Sequence, residues 1–124
     1  MERRSSLRQI INYPVWVICD DAKDDQDDQC IAYALDISES GMLIESFMVI
    51  WGQTIKILAS ATEKKIIEIV GDIVYTDNSA EGKFKVGIRF IGSERENSLF
   101  SKKLIEASRL WEADREHIVN TVVS

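Results

Sequence analysis

From residue 10 to residue 19 the chain alternates. Tyr13, Val15, Val17 and Cys19 fall on one side of an extended backbone, and Pro14, Trp16 and Ile18 fall on the other. The run is rich in aromatic and β-branched residues, so it reads as a strand. Pro14 has no N–H to donate, which places that strand at an edge or near a bulge. "QCIAYALDI" and "GMLIESF" read as a second and third strand joined by the turn "DISESG". "WGQTIKILAS" holds a fourth strand after Gly52, and "KKIIEIVGDIVYT" is a long fifth in which Gly71 marks an expected bulge or bend. The turn cluster "DNSAEG" returns the chain into a last strand, "KFKVGIRFIG". Several short strands at even spacing predict a barrel or sandwich rather than a parallel sheet.

The period then changes. From Ser93 onward there is no Gly and no Pro, and Ser93 with Glu96 has the spacing of a capping box. Phe100, Leu104, Ala107, Trp111, Ile118 and Val122 recur near helical spacing, with charge on the opposite face. The pattern predicts one amphipathic helix over 93–124, packed on the sheet or on a partner. Residues 1–9 are polar without either period and are expected to form a flexible loop ahead of a β unit spanning 10–92. The run "DDAKDDQDD" between the first two strands reads as a solvated connection.

Composition narrows the function. The 124 residues suit one domain with a core of its own. With 15 Lys and Arg against 21 Asp and Glu, the net charge is −6. A nucleic-acid barrel carries a basic stripe, so that class is set aside, and any anion site must be local. Cys19 and Cys30 form no CxxC, and His117 is the single histidine, which argues against zinc. The acidic run lacks the Gly and Glu of a calcium loop. No signal peptide and no span-length apolar stretch is visible, so the cytoplasm is expected, with reduced cysteines. Trp16, Trp51 and Trp111 are expected as core or interface anchors. No nucleophile–base pair, metal cluster or phosphate-cradling loop stands out. The chain is therefore expected not to be an enzyme and to need no cofactor.

Two stretches carry chemistry. In "RRSSLR", Arg4 and Arg8 form RxxxR with Arg3 just before, and positions four apart share a face in a helix or an extended segment. Guanidinium is permanently charged and matches phosphate oxygens and the guanine O6/N7 pair in bidentate geometry. Nothing near in sequence neutralises these arginines, and alone they describe a solvated terminus. In "DISESG", Asp36, Ser38 and Gly41 form DxSxxG. A carboxylate there can accept from the N1–H and N2–H₂ of guanine, a hydroxyl can donate, and Gly41 allows a positive φ or a close backbone approach. Alone, this is an ordinary polar turn.

In order, RxxxR, then a strand, then DxSxxG at the end of the second strand, with Gly52 before "TIKI" and "VGIRF" in a late strand, the sequence resembles the PilZ domain family from about Glu2 to Gly92. The resemblance implies a mainly β fold, a six-stranded antiparallel β-barrel, here with a C-terminal α-helix. It implies a receptor for cyclic di-GMP in the control of bacterial motility, biofilm or virulence. Arg4 and Arg8 would grip phosphates and guanine from the N-terminal loop. Asp36 would pair with a guanine edge, with Ser38 and Gly41 completing the barrel half of the site. Arg3 occupies the family position associated with two intercalated ligands per protomer. Arg89, opposite in facing to Ile88 and Phe90, is either a further ligand contact or a surface arginine. The downstream protein partner is not encoded, and the Trp111 face of the helix is open to packing within the chain or to a homodimer. The alternative is a PilZ-like protein-interaction adaptor that binds no nucleotide, against which the intact motifs argue.

Overall fold

The computed structural model describes residues 7–19, 28–79 and 81–123, with side chains described except at 28, 63, 79 and 114–123. Six strands follow one another: β1 (Gln9–Cys19), β2 (Asp28–Ile37), β3 (Gly41–Ser46), β4 (Thr54–Ser60), β5 (Ile66–Ser79) and β6 (Lys83–Phe90). They close in the order β1-β2-β3-β6-β5-β4, with every neighbouring pair antiparallel. The choice between barrel and sandwich is decided by the seam, where β1 pairs with β4 from Trp16↔Leu58 to Cys19↔Ile55. A single helix follows, α1 (Glu94–Val123).

Alternation decides what is inside. Tyr13, Val15, Val17 and Cys19 are all buried, as the period of two requires. They meet Ala32, Ala34, Ile44, Ile55, Ile57, Val86 and Ile88 in one core. Alanine at 32 and 34 leaves room for the larger side chains opposite, which is how a small barrel fills its interior. Cys19 is buried and Cys30 half-buried, both within strands and neither in a disulfide. Trp16 does not join the core. It is 51% exposed on the outer face, because its odd–even position opposes Val15 and Val17.

One backbone irregularity differs from the sequence expectation and one agrees with it. The β5 bulge falls between Ile73 and Tyr75, not at Gly71. Gly71 is instead a site of close approach, where a Cβ would stand 2.9 Å from the Arg89 carbonyl oxygen. Pro14 lies just after a β1 irregularity between Ile10 and Tyr13 and beyond the last β1–β4 register pair, as a proline near a bulge is expected to. Asp28, read as connection, opens β2, and Asp20, Asp21, Asp24, Asp25 and Asp27 lie outside the described residues.

The helix begins as its cap predicts. The Glu96 N–H donates to Ser93 Oγ at 3.1 Å, and the Ser93 N–H donates to Glu96 Oε1 at 2.9 Å. Phe100, Leu104 and Ala107 are buried against the barrel, Phe100 edge-on to Phe90 with ring centroids 5.7 Å apart. Trp111, next on the stripe, meets Tyr13 edge-on at 6.0 Å yet stays 41% exposed. The side chains of Ile118, Val122 and His117 lie outside the described residues.

Candidate ligand site

The turn from β2 to β3 is built by its own polar groups. The Ser38 N–H donates to the Gly41 carbonyl at 2.9 Å, closing a tight hairpin over Glu39 and Ser40. Ser38 Oγ accepts from the Ser40 N–H at 3.3 Å and lies 3.4 Å from the Gly41 carbonyl oxygen, which accepts its proton. Ser38 is 3% exposed, so its hydroxyl shapes the turn from within. The Phe90 N–H then donates to the Ser40 carbonyl at 2.9 Å, tying the turn to the end of β6.

Gly41 answers its open question. It has no positive φ, a feature found here at Gly52 and Gly82. Its requirement is space: a Cβ would stand 2.2 Å from the Ile88 carbonyl oxygen across the β3–β6 ladder. Arg89 is the register partner of Gly41 and projects outward beside it. Its guanidinium reaches Asp72 Oδ2 at 3.4 Å, while Thr54 Oγ1 donates to Asp72 Oδ1 at 3.1 Å. Arg89 is therefore near the turn in register and held toward β5 by an ion pair.

A bulge between Ala34 and Asp36 brings Leu35 and Asp36 both to half-burial on the barrel flank. There Arg8, immediately before β1, donates from Nη1 to Asp36 Oδ1 at 2.5 Å. The two motifs thus meet although 28 residues separate the pair. This corrects one expectation of the sequence: Arg8 is not an uncompensated charge, because the register of β1 on β2 carries a carboxylate to it. Arg3 and Arg4 lie outside the described residues.

Three features escaped sequence reasoning. Tyr75 lies over Gly87, whose Cβ would meet the tyrosine ring at 2.2 Å. Gly87 pairs with Leu43, and Leu43 with Asp36, so the ring shares a cross-strand row with the acid. The mid-strand glycine of "VGIRF" was the available signal, since such glycines accept an aromatic ring from a neighbouring strand. The other two tie the site to α1. Ser98 Oγ donates to Glu39 Oε1 at 3.4 Å, and Arg109 Nη2 donates to Gln9 Oε1 at 3.4 Å. Both segments that carry motif residues therefore touch the same helix.

No family model matches the sequence, and no curated protein matches it. Solved structures do. The barrel is similar to the PilZ domain with c-di-GMP of YcgR from Escherichia coli, at TM-score 0.61 and 10% identity over 94% of this chain and 98% of that one. It is similar to the Bacillus subtilis inhibitor of motility MotI/DgrA, at TM-score 0.59 and 15% identity over 84% of this chain and 50% of that one. Likeness extends to E. coli YcgR in complex with c-di-GMP, at TM-score 0.57 and 13% identity over 98% of this chain and 51% of that one. The chain spans about half the length of the latter two. The six-stranded barrel with its C-terminal helix is thus a PilZ-like fold. Among the described residues no helix is long and apolar enough to cross a membrane.

Proposed function

We propose that this PilZ-like barrel is a cytoplasmic receptor for cyclic di-GMP that passes the binding event to a protein partner, with no catalytic step of its own. The observation that carries the reading is the meeting of Arg8 and Asp36 at 2.5 Å, which sets an N-terminal arginine beside the DxSxxG turn. The c-di-GMP in the structure of a similar PilZ domain supports the same ligand here.

In this reading the ligand replaces an internal bond with external ones. Asp36 leaves Arg8 and accepts from N1–H and N2–H₂ of a guanine, while Arg8 and Arg4 turn to phosphate and base. Ser38 and Gly41 hold the turn in the shape that presents Asp36. Arg3 favours a second, stacked ligand per protomer. Because Gln9 and Glu39 are both hydrogen-bonded to α1, movement of either segment reaches the helix. The helix and its half-exposed Trp111 form the surface that a partner, or a second protomer, would read. Motility, attachment or virulence is the expected output.

Calorimetric titration with cyclic di-GMP tests this. Saturable binding is expected, with a stoichiometry near two. Arg8→Ala should weaken it at least tenfold, since a charge-assisted hydrogen bond is worth about 1.5–3 kcal/mol. A stoichiometry of one would remove the role given to Arg3. No binding at all would favour the second reading, a protein-interaction adaptor, to which the exposed run Phe47, Met48 and Val49 lends its own support.

A further inference from the structure

Along β2 from Asp36, the outer face of the barrel carries a groove of about 380 Å³. Tyr33 and Leu35 of β2 and Glu45 of β3 line it, with Asn12 on the β1 side, Lys83 on the β6 side and Trp111 from α1. Its volume falls in the range of small-molecule sites. Leu35 directly precedes Asp36, and the bulge between Ala34 and Asp36 leaves both half-exposed on this flank. Tyr33 lies three residues back, about 10 Å along the strand. The groove therefore starts where the proposed guanine contact ends.

We infer that this groove is a second guanine site, in which a base of cyclic di-GMP stacks on Tyr33 and Trp111 with its edge toward Glu45. The inference rests on the cyclic di-GMP reading and extends it to residues outside both motifs. A cyclic dinucleotide has two bases, and Asp36 serves one. Tyr33 is 46% exposed and Trp111 41%, so two aromatic rings face solvent along one cleft. Every base has a π-face that such rings accept. Glu45 Oε1 sits 3.9 Å from Lys83 Nζ, so a carboxylate and an ammonium stand together at the far side. The carboxylate has the acceptors that the N1–H and N2–H₂ of guanine require, as Asp36 has. The ammonium adds positive charge close to a dianionic ligand. The Asn12 amide supplies both a donor and an acceptor at the near side.

The test uses the full chain and its cyclic di-GMP affinity, with melting temperature as the control for folding. Tyr33→Ala should weaken binding about tenfold or more, and Tyr33→Phe should restore it, because stacking needs the ring and not the hydroxyl. Glu45→Gln should narrow the preference for cyclic di-GMP over its inosine analogue, which lacks the 2-amino group. With Trp16 and Trp51 both changed to Phe, Trp111 emission should shift on ligand addition. The inference is overturned if Arg8→Ala loses binding while Tyr33→Ala and Glu45→Gln bind as the parent does and Trp111 emission stays flat. That outcome leaves the cyclic di-GMP reading standing. Absence of any binding by the parent chain overturns both.

Discussion

A methyl group added at Gly41 would run into the Ile88 carbonyl at 2.2 Å, and neither side of that contact is a movable side chain. Gly41→Ala should therefore force β3 from β6 and cost about 1–3 kcal/mol, the range for overpacking, read as a lower denaturant midpoint. Gly87→Ala meets the Tyr75 ring instead, which can rotate away toward solvent, so its cost should be the smaller of the two. Asp36→Asn makes a complementary case. The Arg8–Asp36 pair is exposed on the arginine side, with 58% of that side chain accessible, so its loss should change stability by less than about 1 kcal/mol while cyclic di-GMP affinity falls. At this scale the sequence singled out candidate residues and said little about their partners. Asp36 and Arg8 were both legible as motif members. Their pairing was not, since it depends on the β1–β2 register, and Pro14 could signal an irregularity there without fixing which residues it brings opposite each other.

Elements were read more completely, because periodicity is a property of a run and survives a wrong residue. The alternation of β1 and the Phe100, Leu104, Ala107 stripe each predicted the buried side. Gly71 misled because a strand glycine has two meanings, a bulge or a tight approach, and only the facing strand separates them. The helix start makes its own predictions. Ser93→Ala should cost about 1 kcal/mol as a lost N-cap. The Ser93 backbone N–H, and then its hydroxyl, hold the Glu96 carboxyl below the usual carboxylate range. A lowered value contributes helix stability above the ordinary carboxylate pKa, and that contribution is lost as pH falls through the lowered one. Protection of the amides at residues 94–97, taken relative to their intrinsic exchange rates at each pH, should accordingly fall in acid, and Glu96→Gln should flatten that dependence. Deeper on the same helix, Leu104 is fully buried, and Leu104→Ala should cost about 2–5 kcal/mol by chemical denaturation.

The whole molecule depends on a seam that no single run of sequence describes. Strand count, order of types and the final helix were all visible; periodicity alone left a sandwich open, the resemblance to PilZ domains chose the six-stranded barrel, and Trp16 opposite Leu58 closes it. Tyr13 reinforces this closure, its hydroxyl donating to the Ser60 carbonyl at the end of β4. Burial raises the Tyr13 pKa above its ordinary value of about 10. Stability from this group is therefore complete below the ordinary value and is lost as pH rises through the raised one. Alkaline unfolding should be delayed in Tyr13→Phe relative to its own neutral-pH stability, measured as the fractional drop in denaturant midpoint between neutral and alkaline buffer.

The Arg8–Asp36 bond has one further consequence. In the proposed receptor role, recognition groups that hold each other act as a tethered competitor at fixed local concentration. The fraction of molecules with that bond open multiplies the intrinsic affinity, so the ligand level that triggers a response can be retuned without altering any ligand contact. Neighbouring charges that steady or loosen a single 2.5 Å contact would then act as the adjustment of a threshold.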